Sequence, residues 1–103
     1  MTDPEHRSAA QKLVLPLDGE LDVARSDEIL AHGDQLLATA QAGQQLVVDM
    51  SDLSFIDSSG LSALLRLRHH ALAKEVGIAL HAVPEHVAVL LRISGLEEVL
   101  PTD

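Results

Sequence analysis

Apolar residues in this chain fall into two alternating patterns, short unbroken runs and longer stretches spaced by threes and fours. Leu13, Val14, Leu15 and Leu17 form the first run and predict a strand; Pro16 suits an edge or a strand end, because it donates no ladder hydrogen bond. Asp18-Gly19-Glu20-Leu21-Asp22 predicts a turn, with Asp22 as N-cap of a helix through about Ala42. In that helix Ile29, Leu30, Leu36, Leu37 and Ala40 stand near helical spacing, and Gly43 stops it. Gln45 to Met50 is a continuous apolar run, the pattern of a strand covered on both faces. A short acidic loop then leads to Ser58.

The second helix is expected from about Ser59 to Glu75, ending near Gly77. Leu61, Leu64, Leu65, Leu67, Ala71 and Leu72 form its core side, and Ser62, Arg66 and His69 lie on the other. Ile78, Ala79, Leu80, Ala82 and Val83 predict a third strand. Pro84 opens a third helix with Val87, Leu90, Leu91 and Ile93 on its apolar side, and Ser94-Gly95 breaks it. Leu96, Val99 and Leu100 close the chain. Strands alternating with helices predict an α/β domain, a small mixed β-sheet covered by α-helices. Residues 1–11 read as a flexible lead-in and residues 12–103 as the single domain that 103 residues can support.

Composition narrows the function. The hydrophobic content of 47% is that of a folded protein, yet Phe55 is the only aromatic residue. The core must be built from Leu, Val, Ile and Ala, and stacking platforms for single-stranded nucleic acid are missing. A net charge of −9 also speaks against nucleic acid, whose phosphates need clustered Lys and Arg. The acidity is uneven: Asp18, Glu20, Asp22, Asp27, Glu28, Asp34, Asp49, Asp52 and Asp57 face a single base, Arg25. That is either a solubilising surface or a negative face for a basic partner. There are no cysteines, which excludes disulfides and thiol chemistry and fits a reducing cytoplasm. No apolar run approaches the roughly 20 residues of a membrane span, and Met1 to Gln11 carry no apolar signal core. A cytoplasmic protein without membrane insertion is expected.

The candidate chemistry gathers at Asp57-Ser58-Ser59-Gly60, where a strand and loop turn into an apolar helix. A hydroxyl there sits beside unpaired backbone N–H groups and the positive end of a helix dipole, so a negative charge is tolerated. Ser58 fits a phosphoacceptor, and it also fits an ordinary N-cap; Ser59 could be the cap and leave the Ser58 hydroxyl free. Gly60 suits close packing or a permissive turn. A nucleophilic serine is disfavoured because Ile56 replaces the first glycine of a Gly-x-Ser-x-Gly elbow. His69 and His70, adjacent on a helix, point about 100° apart and do not converge on a metal.

Read in order, Gly19-Glu20-Leu21-Asp22, Leu46-Val47-Val48-Asp49, Phe55-Ile56-Asp57-Ser58-Ser59-Gly60-Leu61 and Ile93-Ser94-Gly95-Leu96 resemble the STAS domain (sulphate transporter and anti-sigma factor antagonist). Within it, they are most similar to the stand-alone bacterial anti-sigma factor antagonists. The resemblance implies a non-enzymatic, cofactor-free switch. An anti-sigma factor serine kinase binds the antagonist and phosphorylates it on Ser58, releasing it, and a serine phosphatase resets it. Asp22 and Asp57 are the implied partner-facing residues; Ser59 and Gly60 of the turn, and Ser62 and Arg66 on the helix face adjoining it, complete the expected partner-binding set. Two departures stand out: the family's first N-terminal strand is hard to find in residues 1–11, and the chain stops at Pro101-Thr102-Asp103, where many antagonists continue. A shortened end also resembles STAS accessory subunits of phospholipid-transport ABC systems, the main alternative. A signalling-scaffold STAS protein is a third.

Overall fold

The computed structural model describes residues 12–102; the expected lead-in over residues 1–11 lies outside them. Six elements follow in order: β1 (Lys12–Leu21), α1 (Val23–Ala38), β2 (Gln45–Ile56), α2 (Ser58–Ala73), β3 (Gly77–His81) and α3 (Glu85–Ile93). The strands form one sheet in the order β1-β2-β3. Every ladder among the described residues is parallel, within the expected α/β architecture. Even the isolated bridge from Leu80 to Thr102 is parallel. The physical reason is the connection: each pair of neighbouring strands is joined through a helix, which returns the chain to the same end of the sheet.

The first two strands run further than their apolar runs. Asp18 to Leu21, expected as a turn, and Ser51 to Ile56, expected as loop, pair with each other as the upper ends of β1 and β2. Their period-two pattern is hidden because β2 spends one residue more than β1 at two places, between Pro16 and Asp18 and again between Gly19 and Glu20. These are bulges. The buried positions of β2 therefore shift from the alternation of Leu46, Val48 and Met50 to the spacing Met50, Leu53, Ile56.

The core joins Leu15, Leu17 and Leu21 of β1 to those β2 residues and to Ile29, Leu30, Leu37, Leu61, Leu64, Leu67 and Ala71 of α1 and α2. α1 and α2 approach closely where Gly33 meets Leu67, since a Cβ on Gly33 would run into the Leu67 side chain. Two expected core residues are not buried: Leu72 is 47% exposed and Ile93 76%. Each stands at the end of its helix, past the last turn that faces the sheet.

The helix ends also moved inward. α1 stops at Ala38, four residues before Ala42. α2 stops at Ala73, with Lys74 as C-cap and Glu75 in the left-handed conformation at φ 58°. Glu75 N–H donates to Leu72 O at 2.9 Å and Val76 N–H to Ala71 O at 2.9 Å. This is the paired arrangement that usually recruits glycine. Gly95 fills the same position after α3, with Gly95 N–H on Arg92 O and Leu96 N–H on Leu91 O. The β3 strand ends at His81 because Ala82 turns to φ 56°.

Candidate functional site

Because the sheet is parallel, α1 and α2 both start from the same end of it, the carboxyl ends of β1 and β2. Open α/β sheets place their binding crevices at that end. Each helix is capped by an aspartate. Asp22 accepts from Ala24 N–H at 3.1 Å, and Asp57 accepts from Gly60 N–H at 3.0 Å. The cap of α2 is thus Asp57, not Ser58 or Ser59, and the helix opens on Ser58 itself. A carboxylate cap satisfies one first-turn donor and complements the helix dipole.

That arrangement frees Ser58. It is exposed, and among the described residues its hydroxyl has no hydrogen-bond partner. Ser59 is half-buried, and its carbonyl accepts from the buried Ser26 hydroxyl at 3.3 Å. Ser26 also donates to Asp22 O at 2.7 Å, so one hydroxyl ties the first turn of α1 to that of α2. Asp57 N–H donates to Leu21 O at 3.3 Å, which fastens the start of α2 to the end of β1.

Gly60 makes this junction possible. A Cβ there would lie 2.5 Å from the Leu21 carbonyl oxygen and 2.6 Å from Ile56 Cγ1. The residue is buried beneath the surface, so it supports the turn from below. Ser62 and Arg66 are exposed one and two turns further along α2. Together with Val23, Ser26, Asp27, Ser58 and Ser59 they line an open hollow of ≈ 390 Å³. Val23 is 75% exposed, and Phe55, just before the turn, is 46% exposed. The hollow is therefore polar apart from Val23, and neither Val23 nor the exposed Phe55 was in the expected set. The signal for Val23 in the sequence was an apolar residue directly after the Asp22 cap.

The acidic surplus is distributed more widely than a single face. Asp22 and Asp57 are caps, and Asp18 and Glu28 hold Arg25 at 3.2 and 3.3 Å. Arg25 also donates to the Asp18 and Glu20 carbonyls, tying the bulged end of β1 to α1. Asp34 meets His70 Nδ1 at 2.7 Å across α1 and α2. Asp49 accepts from Ser51 N–H at 3.0 Å. Among the described residues, Asp27 is the acid that lines the hollow. Among the described residues no group of three or more His, Asp or Glu could hold a metal ion, and no helix is long and apolar enough to cross a membrane. Among the described residues no imidazole lines the hollow.

A parallel α/β sheet with a capped, exposed serine at the α2 N-terminus is the arrangement expected of a STAS-type domain. The family described as "Mlab, STAS domain" matches residues 5–101. The chain belongs to the STAS domain family. It is 33% identical over 90 residues to the anti-sigma F factor antagonist of Paenibacillus polymyxa, covering 86% of this chain and 75% of that one. The same fold occurs in a sulfate transporter family protein from Wolinella succinogenes, with a TM-score of 0.71 and 17% identity over 96% of this chain and 82% of that one. It occurs as well in the Bacillus cell fate determinant SpoIIAA in its phosphorylated form, with a TM-score of 0.67 and 22% identity over 90% and 83%.

Proposed function

We propose that this chain is a cytoplasmic anti-sigma factor antagonist that binds an anti-sigma factor serine kinase and is switched off by phosphorylation of Ser58. The observation that carries the reading is the division of labour at the turn: Asp57 takes the capping role, leaving the Ser58 hydroxyl exposed and unengaged. In the reaction the Ser58 oxygen attacks the γ-phosphorus of ATP bound to the kinase. The hydroxyl proton leaves, and ADP departs with the broken phosphoanhydride bond. The domain supplies a substrate and a docking surface and no catalytic group of its own.

The partner lies over Val23, Phe55, Ser58, Ser62 and Arg66, with the caps Asp22 and Asp57 and the buried Gly60 holding the surface in shape. A phosphate there adds about −1.5 to −2 charges. Against a partner fitted to a neutral hydroxyl this costs several kcal/mol, about the size seen when a charge is buried unpaired at an interface. The helix dipole returns about 0.3–1 kcal/mol within the antagonist, so the fold survives while the interface fails. A serine phosphatase reverses the change.

The test is mass spectrometry of the protein from its native cells, with pull-down of its partners. One phosphate on Ser58 and a co-purifying serine kinase are expected. Ser58→Asp loses the kinase with its fold intact, and Ser58→Ala binds constitutively. A second reading, an accessory subunit of a phospholipid-transport ABC system, is supported by the match to the family described as "Mlab, STAS domain". An unmodified Ser58 with a co-purifying ATPase would replace the first reading with the second.

A further inference from the structure

Among the described residues one cation, Arg66, lines the hollow beside Ser58, and its position bears on how the switch works. Ser58, Ser62 and Arg66 occupy successive turns of α2 and line the same hollow. Arg66 is exposed and forms no salt bridge among the described residues, whereas the neighbouring Arg25 is held by Asp18 and Glu28. The Cα atoms of Ser58 and Arg66 are about 12 Å apart along the helix axis at ~1.5 Å per residue. Long side chains on a helix lean toward its N-terminus, which is the direction from Arg66 to Ser58, and both residues line the same hollow.

Resting on Ser58 as the phosphoacceptor, we propose that Arg66 is the internal counter-ion of the phosphorylated state. It pairs with the Ser58 phosphate across the hollow and is thereby withdrawn from the partner. Charge makes such a partner necessary. The carboxylates of Asp57 next to Ser58 and Asp27 in the hollow both oppose a dianion, and among the described residues Arg66 is the one basic side chain lining the hollow. Guanidinium suits the task because its planar N–H fork matches phosphate oxygens and it stays charged at every physiological pH. In the unmodified protein the same arginine is free for the kinase surface. Phosphorylation then acts twice, by adding repulsive charge and by removing one favourable contact.

The experiment installs phosphoserine at position 58 during synthesis, without any kinase, and follows its second ionisation by phosphorus NMR. Arg66, Arg66→Lys and Arg66→Gln proteins are compared. The phosphoserine pKa is expected to be about half a unit lower with Arg66 than with Gln, the size of one partly exposed charge pair, with Lys between them. The difference shrinks as salt is raised. Coincident titrations of the Arg66 and Arg66→Gln proteins would overturn the proposal. Because the phosphate is installed synthetically, that result leaves kinase action on Ser58 standing. An unphosphorylated Ser58 in cells would remove the switch itself while leaving the titration as measured.

Discussion

Replacing Gly60 with alanine probes the junction on which the whole site rests. Two effects oppose each other. Alanine is favoured over glycine within a helix by about 0.8–1.0 kcal/mol. The new methyl, however, would stand 2.5 Å from the Leu21 carbonyl oxygen, 2.6 Å from Ile56 Cγ1 and 2.9 Å from Leu21 Cγ. Overpacking of this kind costs about 1–3 kcal/mol, and a backbone oxygen in a paired strand yields less than a side-chain tip. The Leu21 oxygen also receives the Asp57 N–H, so displacing it weakens a hydrogen bond worth about 0.5–1.5 kcal/mol. The sum is a net loss of about 2 kcal/mol, or roughly 8–16 °C in melting temperature for a domain of this size. Gly33 supplies the control. Its added methyl meets side-chain atoms of Leu67 and no backbone oxygen, so Gly33→Ala is expected to cost less than Gly60→Ala. Far-ultraviolet circular dichroism is the assay, since the chain has no Trp or Tyr to report by fluorescence. A Gly60→Ala protein that melts at or above the wild-type temperature would refute the reasoning.

Three further outcomes follow from the same geometry. Asp57→Ala removes the α2 cap and leaves the Gly60 N–H unpaired, which should cost about 1 kcal/mol by thermal melting, while Asp57→Ser should recover most of it. Glu75→Gly relieves a left-handed backbone at φ 58° and should stabilise the domain by about 0.5–1 kcal/mol in urea unfolding; an unchanged or lower midpoint would show that Glu75 carries a compensating contact. The Asp49 carboxyl lies below its ordinary pKa, chiefly through the Ser51 N–H bond, with the Ser51 hydroxyl and the His81 charge adding to it. A depressed folded pKa contributes stability above the unfolded value of about 3.9, and that stability is lost as pH falls through the folded value. Wild type should therefore exceed Asp49→Asn in stability at neutral pH, the gap closing in acid, and a gap independent of pH would contradict this origin.

The amino-acid sequence by itself determined the alternation of strands and helices, because a continuous run such as Leu46-Val47-Val48 and a three-four spacing such as Leu61, Leu64 and Leu67 are local patterns. It also determined the caps, Asp22 and the Ser94-Gly95 stop among them, since each is set by a side chain acting within its own turn. The position of Ser58 at the start of a helix was legible for the same reason.

What only the tertiary structure decided depends on residues far apart in the chain. The upper ends of β1 and β2 read as a turn and a loop, and two bulges that exist only in their pairing made them strand. Competition for the α2 cap among Asp57, Ser58 and Ser59 was settled by Leu21, whose carbonyl pulls in the Asp57 N–H and leaves room only for glycine at position 60. Leu72 and Ile93 keep helical spacing yet face solvent, because spacing defines a stripe but not where its partner surface ends. The hollow itself joins Asp27 of one helix to Arg66 of another, an encounter that no local pattern encodes. It exists because a parallel sheet starts both helices from the same end.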